Sequence, residues 1–263
     1  MRALKIPMYQ VDAFAGRVFS GNPAAICPLE SWLPDTQMQS IAAENNLSET
    51  AFFVRNGKGY KLRWFTPGVE VDLCGHATLA TAQVILNDLT PGERSVSFET
   101  KSGTLTVTRD GDLYSMDFPA RPPEPCANVY PGLVPALGGQ PEAVLAARDY
   151  FAVYETEEEL RALKPDMQGL MKLDRFAVIA TAPGREFDFV SRFFAPAKGV
   201  PEDPVTGSSH CSLIPYWSKR LGKKKLHAYQ ASPRGGELWC EDRGERVVIS
   251  GKAVRFFEGT IFL

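Results

Sequence analysis

Cys74-Gly75-His76-Ala77-Thr78-Leu79-Ala80-Thr81-Ala82-Gln83-Val84-Ile85-Leu86 is rich in Ala and Leu and, past the histidine, carries no charge. This composition predicts a helix over 76–86, and a helix that is apolar all round is a buried one. Both flanks of the stretch read as strands. Upstream, Met8–Phe14 alternates and ends at Gly16, Gly21-Asn22-Pro23 makes a turn, and Ala24–Cys27 is a short apolar strand. Asp35 is expected to cap a helix carrying Met38, Ile41 and Ala42 on one face and ending at Asn45-Asn46. Thr50–Val54 and Tyr60–Phe65 follow as strands. Downstream, Ser95–Phe98, Thr104–Thr108 and Tyr114–Phe118 are strands separated by turns at Ser102-Gly103 and Asp110-Gly111.

The same scheme returns later in the chain. Phe194-Ala195-Pro196 answers Phe65-Thr66-Pro67, and Thr206-Gly207-Ser208 answers Cys74-Gly75-His76, each trio opening a helix. Gly235-Gly236-Glu237-Leu238 answers Ser102-Gly103-Thr104-Leu105 at nearly the same distance downstream. Three matches in one order point to duplication. Between the halves, residues 119–135 are rich in proline and lack periodicity, as a link should be. Strands are expected at Tyr150–Tyr154, Phe176–Thr181 and Asp188–Val190, and helices at Glu157–Leu163 and Ser208–Leu221. A chain of 263 residues is long enough for two such lobes. The expected division is 1–118, with the last C-terminal strand as a candidate member, and 119–263.

Charge excludes some classes of partner. Twenty-nine Lys and Arg nearly balance 31 Asp and Glu, so no global field draws in nucleic acid or an anionic membrane. No segment has the length and apolarity of a membrane span, and Met1–Pro7 has no signal-peptide core. Cys27, Cys74, Cys126, Cys211 and Cys240 show no CxxC spacing and read as reduced thiols of a cytoplasmic protein. His76, His210 and His227 are not spaced as ligands with these cysteines, so no structural metal site is expected.

Duplicated helix starts have a chemical use. Each offers free backbone N–H groups and the positive end of a helix dipole, which suits a carboxylate or an oxyanion. Gly75 and Gly207 have no side chain to hold a ligand off that backbone, although either could simply permit a tight turn. Glu49, His76, Asp203 and Ser208 are the polar residues beside these starts. Singly they have ordinary readings: a surface carboxylate, a backbone-bonded histidine, a turn former before Pro204, and a helix cap. Together they are the set needed to move a proton next to a carboxylate or carbonyl.

Gly21-Asn22-Pro23-Ala24-Ala25, Asn46–Ala51, Arg63–Pro67, Cys74–Ala80 and Glu202–Ser208 resemble the signature segments of the PhzF isomerase family. Tyr216-Trp217, His227-Ala228 and Arg234–Leu238 are most similar to its MAWD-binding-protein-like branch. The resemblance spans the chain from first strand to last. It implies an α+β, diaminopimelate-epimerase-like fold: two pseudo-symmetric lobes, each a curved, mostly antiparallel sheet around a central helix, with the active site in the cleft between them. It also implies a homodimer, no metal, nucleotide or pyridoxal cofactor, and a small carboxylated substrate. On this resemblance Glu49 shuttles the proton, and His76, Asp203 and Ser208 support it or bind substrate. Gly75 and Gly207 hold substrate oxygens, and Asn22 lines the site.

Epimerases of this fold use two cysteines, one on each face of the substrate carbon. Here Cys74 stands at the first position, but the second is Thr206, whose hydroxyl does not exchange a proton as a thiol does. The expectation is therefore a cofactor-independent isomerase with one carboxylate base. The competing readings are an epimerase or racemase that uses Cys74, and a catalytically silent protein-binding scaffold.

Overall fold

A computed structural model describes residues 4–263, and contacts divide it into two compact units. The first runs to Asp117 and takes in Ser250–Leu263, while the second is Phe118–Ile249.

The first unit contains β1 (Lys5–Ala13), β2 (Asn22–Leu29), β3 (Glu49–Asn56), β4 (Gly59–Phe65), β5 (Glu70–Val71), β6 (Ser95–Thr100), β7 (Gly103–Asp110) and β8 (Leu113–Pro119, which ends past the boundary). Antiparallel neighbours predominate, but β2–β3 and β4–β6 run parallel. The last strand of the chain, Ala253–Phe262, returns to pair antiparallel with β1. Helix α1 (Asp35–Asn45) packs Met38, Ile41 and Ala42 against Ile6, Cys27, Phe52 and Phe65. Helix α2 (Gly75–Val84) lies against β1, β2 and β3 and is buried from His76 onward. With helices packed against both β2 and β3, Ala24–Cys27 and Ala51–Val54 are mostly continuous buried runs rather than alternating ones.

Two local details differ from the sequence expectation. Pro34, not Asp35, occupies the cap position of α1, and no side chain caps that end. Asp35 is the first helical residue, and its carboxylate accepts a hydrogen bond from Arg63 instead. Past Val84, the helix widens into a π-turn over Ile85–Leu89, closed by Thr90 N–H donating to the Ile85 carbonyl at 2.8 Å. The expected end of α1 holds: Asn46 takes the left-handed conformation that closes a helix.

The second unit contains β9 (Glu124–Pro125), β10 (Ala143–Ala146), β11 (Tyr150–Val153), β12 (Val178–Pro183), β13 (Phe189–Phe194), β14 (Lys225–Gln230), β15 (Gly236–Asp242) and β16 (Arg246–Gly251, which ends past the boundary). β11–β12 and β13–β14 are its parallel pairs. Short helices α3 (Leu133–Leu137), α4 (Glu157–Ala162) and α5 (Met167–Leu170) cover one sheet face through Leu133, Leu137, Leu160 and Leu170. The long helix α6 (Gly207–Leu221) packs on β14 and β15. It also seats Trp217 against Phe189 of β13, with the rings stacked 5.7 Å apart, and Trp217 Nε1 donates to Thr181 Oγ1 at 2.9 Å. None of the described helices is long and apolar enough to cross a membrane.

Candidate active site

Each helix start has its own polar cluster. In the first unit, Gly21 has φ +67° and is held so close that a Cβ would meet the Ala13 carbonyl oxygen at 2.2 Å. Glycine is therefore required there, and it turns the chain so that β2 opens on the fully buried Asn22. Asn45 Nδ2 donates to Thr50 Oγ1 at 3.1 Å, tying the end of α1 to the start of β3, where Glu49 is the first residue. The register sets Glu49 beside Ala24, two residues on from Asn22.

His76 connects these elements. Its Nε2 lies 3.0 Å from Glu49 Oε2, without the alignment of a full hydrogen bond. Its Nδ1 lies 3.2 Å from Asn22 Nδ2 and 3.5 Å from Cys74 Sγ. Burial opposes a charge on the ring, yet the hydrogen bond to the Cys74 sulfur and the Glu49 carboxylate favour it, and the His76 pKa is held well above the usual value. Burial, aided by the Glu49 charge, raises the Cys74 pKa, which keeps that sulfur a thiol. Glu49, Cys74 and His76 are the one three-donor set among the described residues that could hold a metal ion. A cation would have to displace the protons that both Cys74 and His76 retain.

In the second unit, Thr206 takes the place that Cys74 takes in the first. Both precede their helix in extended conformation, with φ −112° and −142°, and neither side chain caps it. The Thr206 hydroxyl donates instead to the Asp203 carboxylate. Gln230, at the end of β14, accepts from Thr206 N–H at 2.8 Å and donates to the Asp203 carbonyl at 2.7 Å, while Ser232 donates to the Pro204 carbonyl. The turn is thereby pinned while the first N–H groups of α6 have no side-chain cap. Ser208, the second helical residue, accepts from Arg148 Nη2 at 3.4 Å. Gln230 and Arg148 escape the sequence reading because both lie far along the chain from the motif they serve.

His210, one turn into α6, is fully buried, and its Nδ1 lies 2.9 Å from the Thr206 carbonyl. Its Nε2 has no hydrogen-bond partner among the described residues, and burial lowers its pKa to about 4. The unfolded chain takes up this proton near pH 6.5, whereas the folded chain resists it until about pH 4. Stability should therefore fall as pH drops through that window, by up to about 3 kcal/mol from this group. Urea midpoints measured across the window should show the slope in the wild type and lack it in His210→Gln.

A family model described as "Phenazine biosynthesis-like protein" matches residues 11–259. The chain belongs to the PhzF family. An uncharacterized isomerase of Pseudomonas aeruginosa is 54% identical over 260 residues, covering 99% of this chain and 100% of that protein. The crystal structure of a PhzF-family protein from Enterococcus faecalis superposes with TM-score 0.96 at 50% identity, covering 99% and 100% of the two chains. A predicted epimerase from Pseudomonas aeruginosa, at 21% identity and TM-score 0.74, shares the fold over 97% of this chain and 99% of its own. This PhzF-family chain is an isomerase with the α+β, diaminopimelate-epimerase-like fold.

Proposed function

We propose that this isomerase moves a proton within a small carboxylated metabolite without a cofactor, with Glu49 as the acid–base group. The observation that carries this reading is the close approach of the Glu49 carboxylate to a buried, charge-favouring His76. A carboxylate held there is acceptor-ready, and an imidazolium beside it stabilises negative charge that develops on the substrate. In the first half-reaction the substrate C–H bond breaks, its electron pair spreads into the conjugated carboxyl system, and an O–H bond forms on Glu49. In the second half-reaction that O–H bond breaks and a new C–H bond forms at another carbon, so composition is unchanged. Backbone N–H groups at Gly75 and Gly207 hold substrate oxygens. Asp203 and Ser208 support binding, and Asn22 sets the His76 ring.

A single carboxylic acid carries back the proton it removed, and this gives a direct test. A substrate found by screening carboxylated metabolites would be deuterated at the labile carbon and turned over in ordinary water. Partial retention of deuterium in the product is expected. Complete loss of the label at every conversion would instead match a two-base mechanism in which solvent supplies the second proton.

The epimerase reading through Cys74 has less support. The thiol keeps its proton, and its counterpart Thr206 gives its hydroxyl to Asp203. Cys74→Ala should keep turnover within about tenfold of wild type, since it removes a packed sulfur near His76 rather than the base. A drop as deep as that of a Glu49 variant would restore the thiol reading.

A further inference from the structure

Arg148 lies in the loop between β10 and β11, in no segment that carries the family resemblance. Its guanidinium is braced on three sides. Nε and Nη2 donate to the buried Asp149 carboxylate at 2.8–3.1 Å, and the plane covers the Phe176 ring at 4.6 Å. Nη2 also reaches Ser208 Oγ, while Nη1 makes no hydrogen bond among the described residues. A planar fork locked this way loses little freedom on binding and keeps two N–H donors beside the uncapped start of α6. The surroundings add positive charge. Lys198 stands over the same Phe176 ring, and Arg121, Arg148 and Arg246 all act on Cys211, one turn along the helix from Ser208.

We propose that Arg148 is a specificity-determining residue that binds an anionic substrate group at Ser208, so that the site selects a carboxylate over its neutral amide. This rests on the proposed reading of Ser208 as a substrate contact. Asp149 fixes the fork and offsets its charge in the free protein, while Nη1 donates to a carboxylate oxygen that also meets Ser208. A charge-assisted pair of this kind distinguishes carboxylate from amide by about tenfold or more.

The probes are benzoate, succinate and inorganic phosphate, with benzamide and succinamide as uncharged matches, titrated by NMR chemical shift. Wild type should bind at least one anion about tenfold more tightly than does Arg148→Met, with the neutral amides unaffected. Since Arg148→Met leaves the Asp149 carboxylate buried and unpaired, the double variant Arg148→Met/Asp149→Asn is measured beside it and should show the same loss. The readout is binding without turnover, which separates failure of recognition from failure of the proton-transfer reading. If no anion binds wild type more tightly than both Arg148 variants, the assignment is wrong.

Discussion

Glu49→Gln is expected to lower turnover by about a thousandfold, the usual scale of general acid–base catalysis. The substitution keeps the shape of the side chain at the head of β3 and removes its charge and its ability to accept a proton. Because the Glu49 charge is one of the two influences that raise the His76 pKa, the variant should also titrate His76 at lower pH. NMR of the ring is a readout that a merely misfolded variant would not give. The linkage has a definite sign. A histidine whose folded pKa lies above its unfolded value stabilises the fold below pH 6.5, and this stability is lost as pH rises through the folded pKa. Glu49→Gln should shrink that increment. Turnover within tenfold of wild type, with the His76 titration moved as expected, would show that the pair exists but that Glu49 is not the base.

The largest expected stability effect is that of Trp217→Ala, at about 4 kcal/mol. Trp217 is fully buried, stacks on Phe189, meets Tyr216 edge-on and donates to Thr181. Truncation opens a cavity between α6 and the sheet and removes one partner of Thr181. Thr181 Oγ1 still donates to the Val190 carbonyl at 2.7 Å, so the hydroxyl is not stranded. Trp217→Phe should therefore cost clearly less than the alanine variant, since it keeps most of the apolar contact. Urea unfolding monitored by far-UV circular dichroism would measure both. An alanine variant within 1 kcal/mol of wild type, on the order expected for surface sites, would mean that α6 is not anchored there.

How much of this was legible in the sequence depends on the range of the interactions. The helix at 76–86 could be read from composition because no charge interrupts its Ala- and Leu-rich run. The turn before Asn22 could be read because only glycine fits there. The helix start at Thr206-Gly207-Ser208 could be read by matching it to Cys74-Gly75-His76, and the two share backbone conformation and lack of a side-chain cap. What stayed hidden lies at long range. The sequence showed Asp203 as a turn former before Pro204, and the fold shows its carboxylate accepting from Thr206. Gln230, which pins that turn, stands on β14, a strand the sequence reading did not mark. Arg148 meets Ser208 across 60 positions of chain. The cap of α1 was misread because an Asp before an apolar stripe signals a cap whichever partner it finds, and Arg63 bound it first.

The return of the last strand to β1 has a consequence for biosynthesis. Ala253–Phe262 leaves the ribosome after every other strand, yet it pairs along the whole of β1, Lys5–Ala13. The strands of the second unit have all been synthesised by then. Folding on the ribosome should thus proceed out of chain order, the later-made unit closing while the earlier one waits with β1 exposed on one edge. The half of the molecule that carries Glu49 and His76 is the last to be completed, so a nascent chain holds that pair in an unfinished sheet until Ala253–Phe262 emerges.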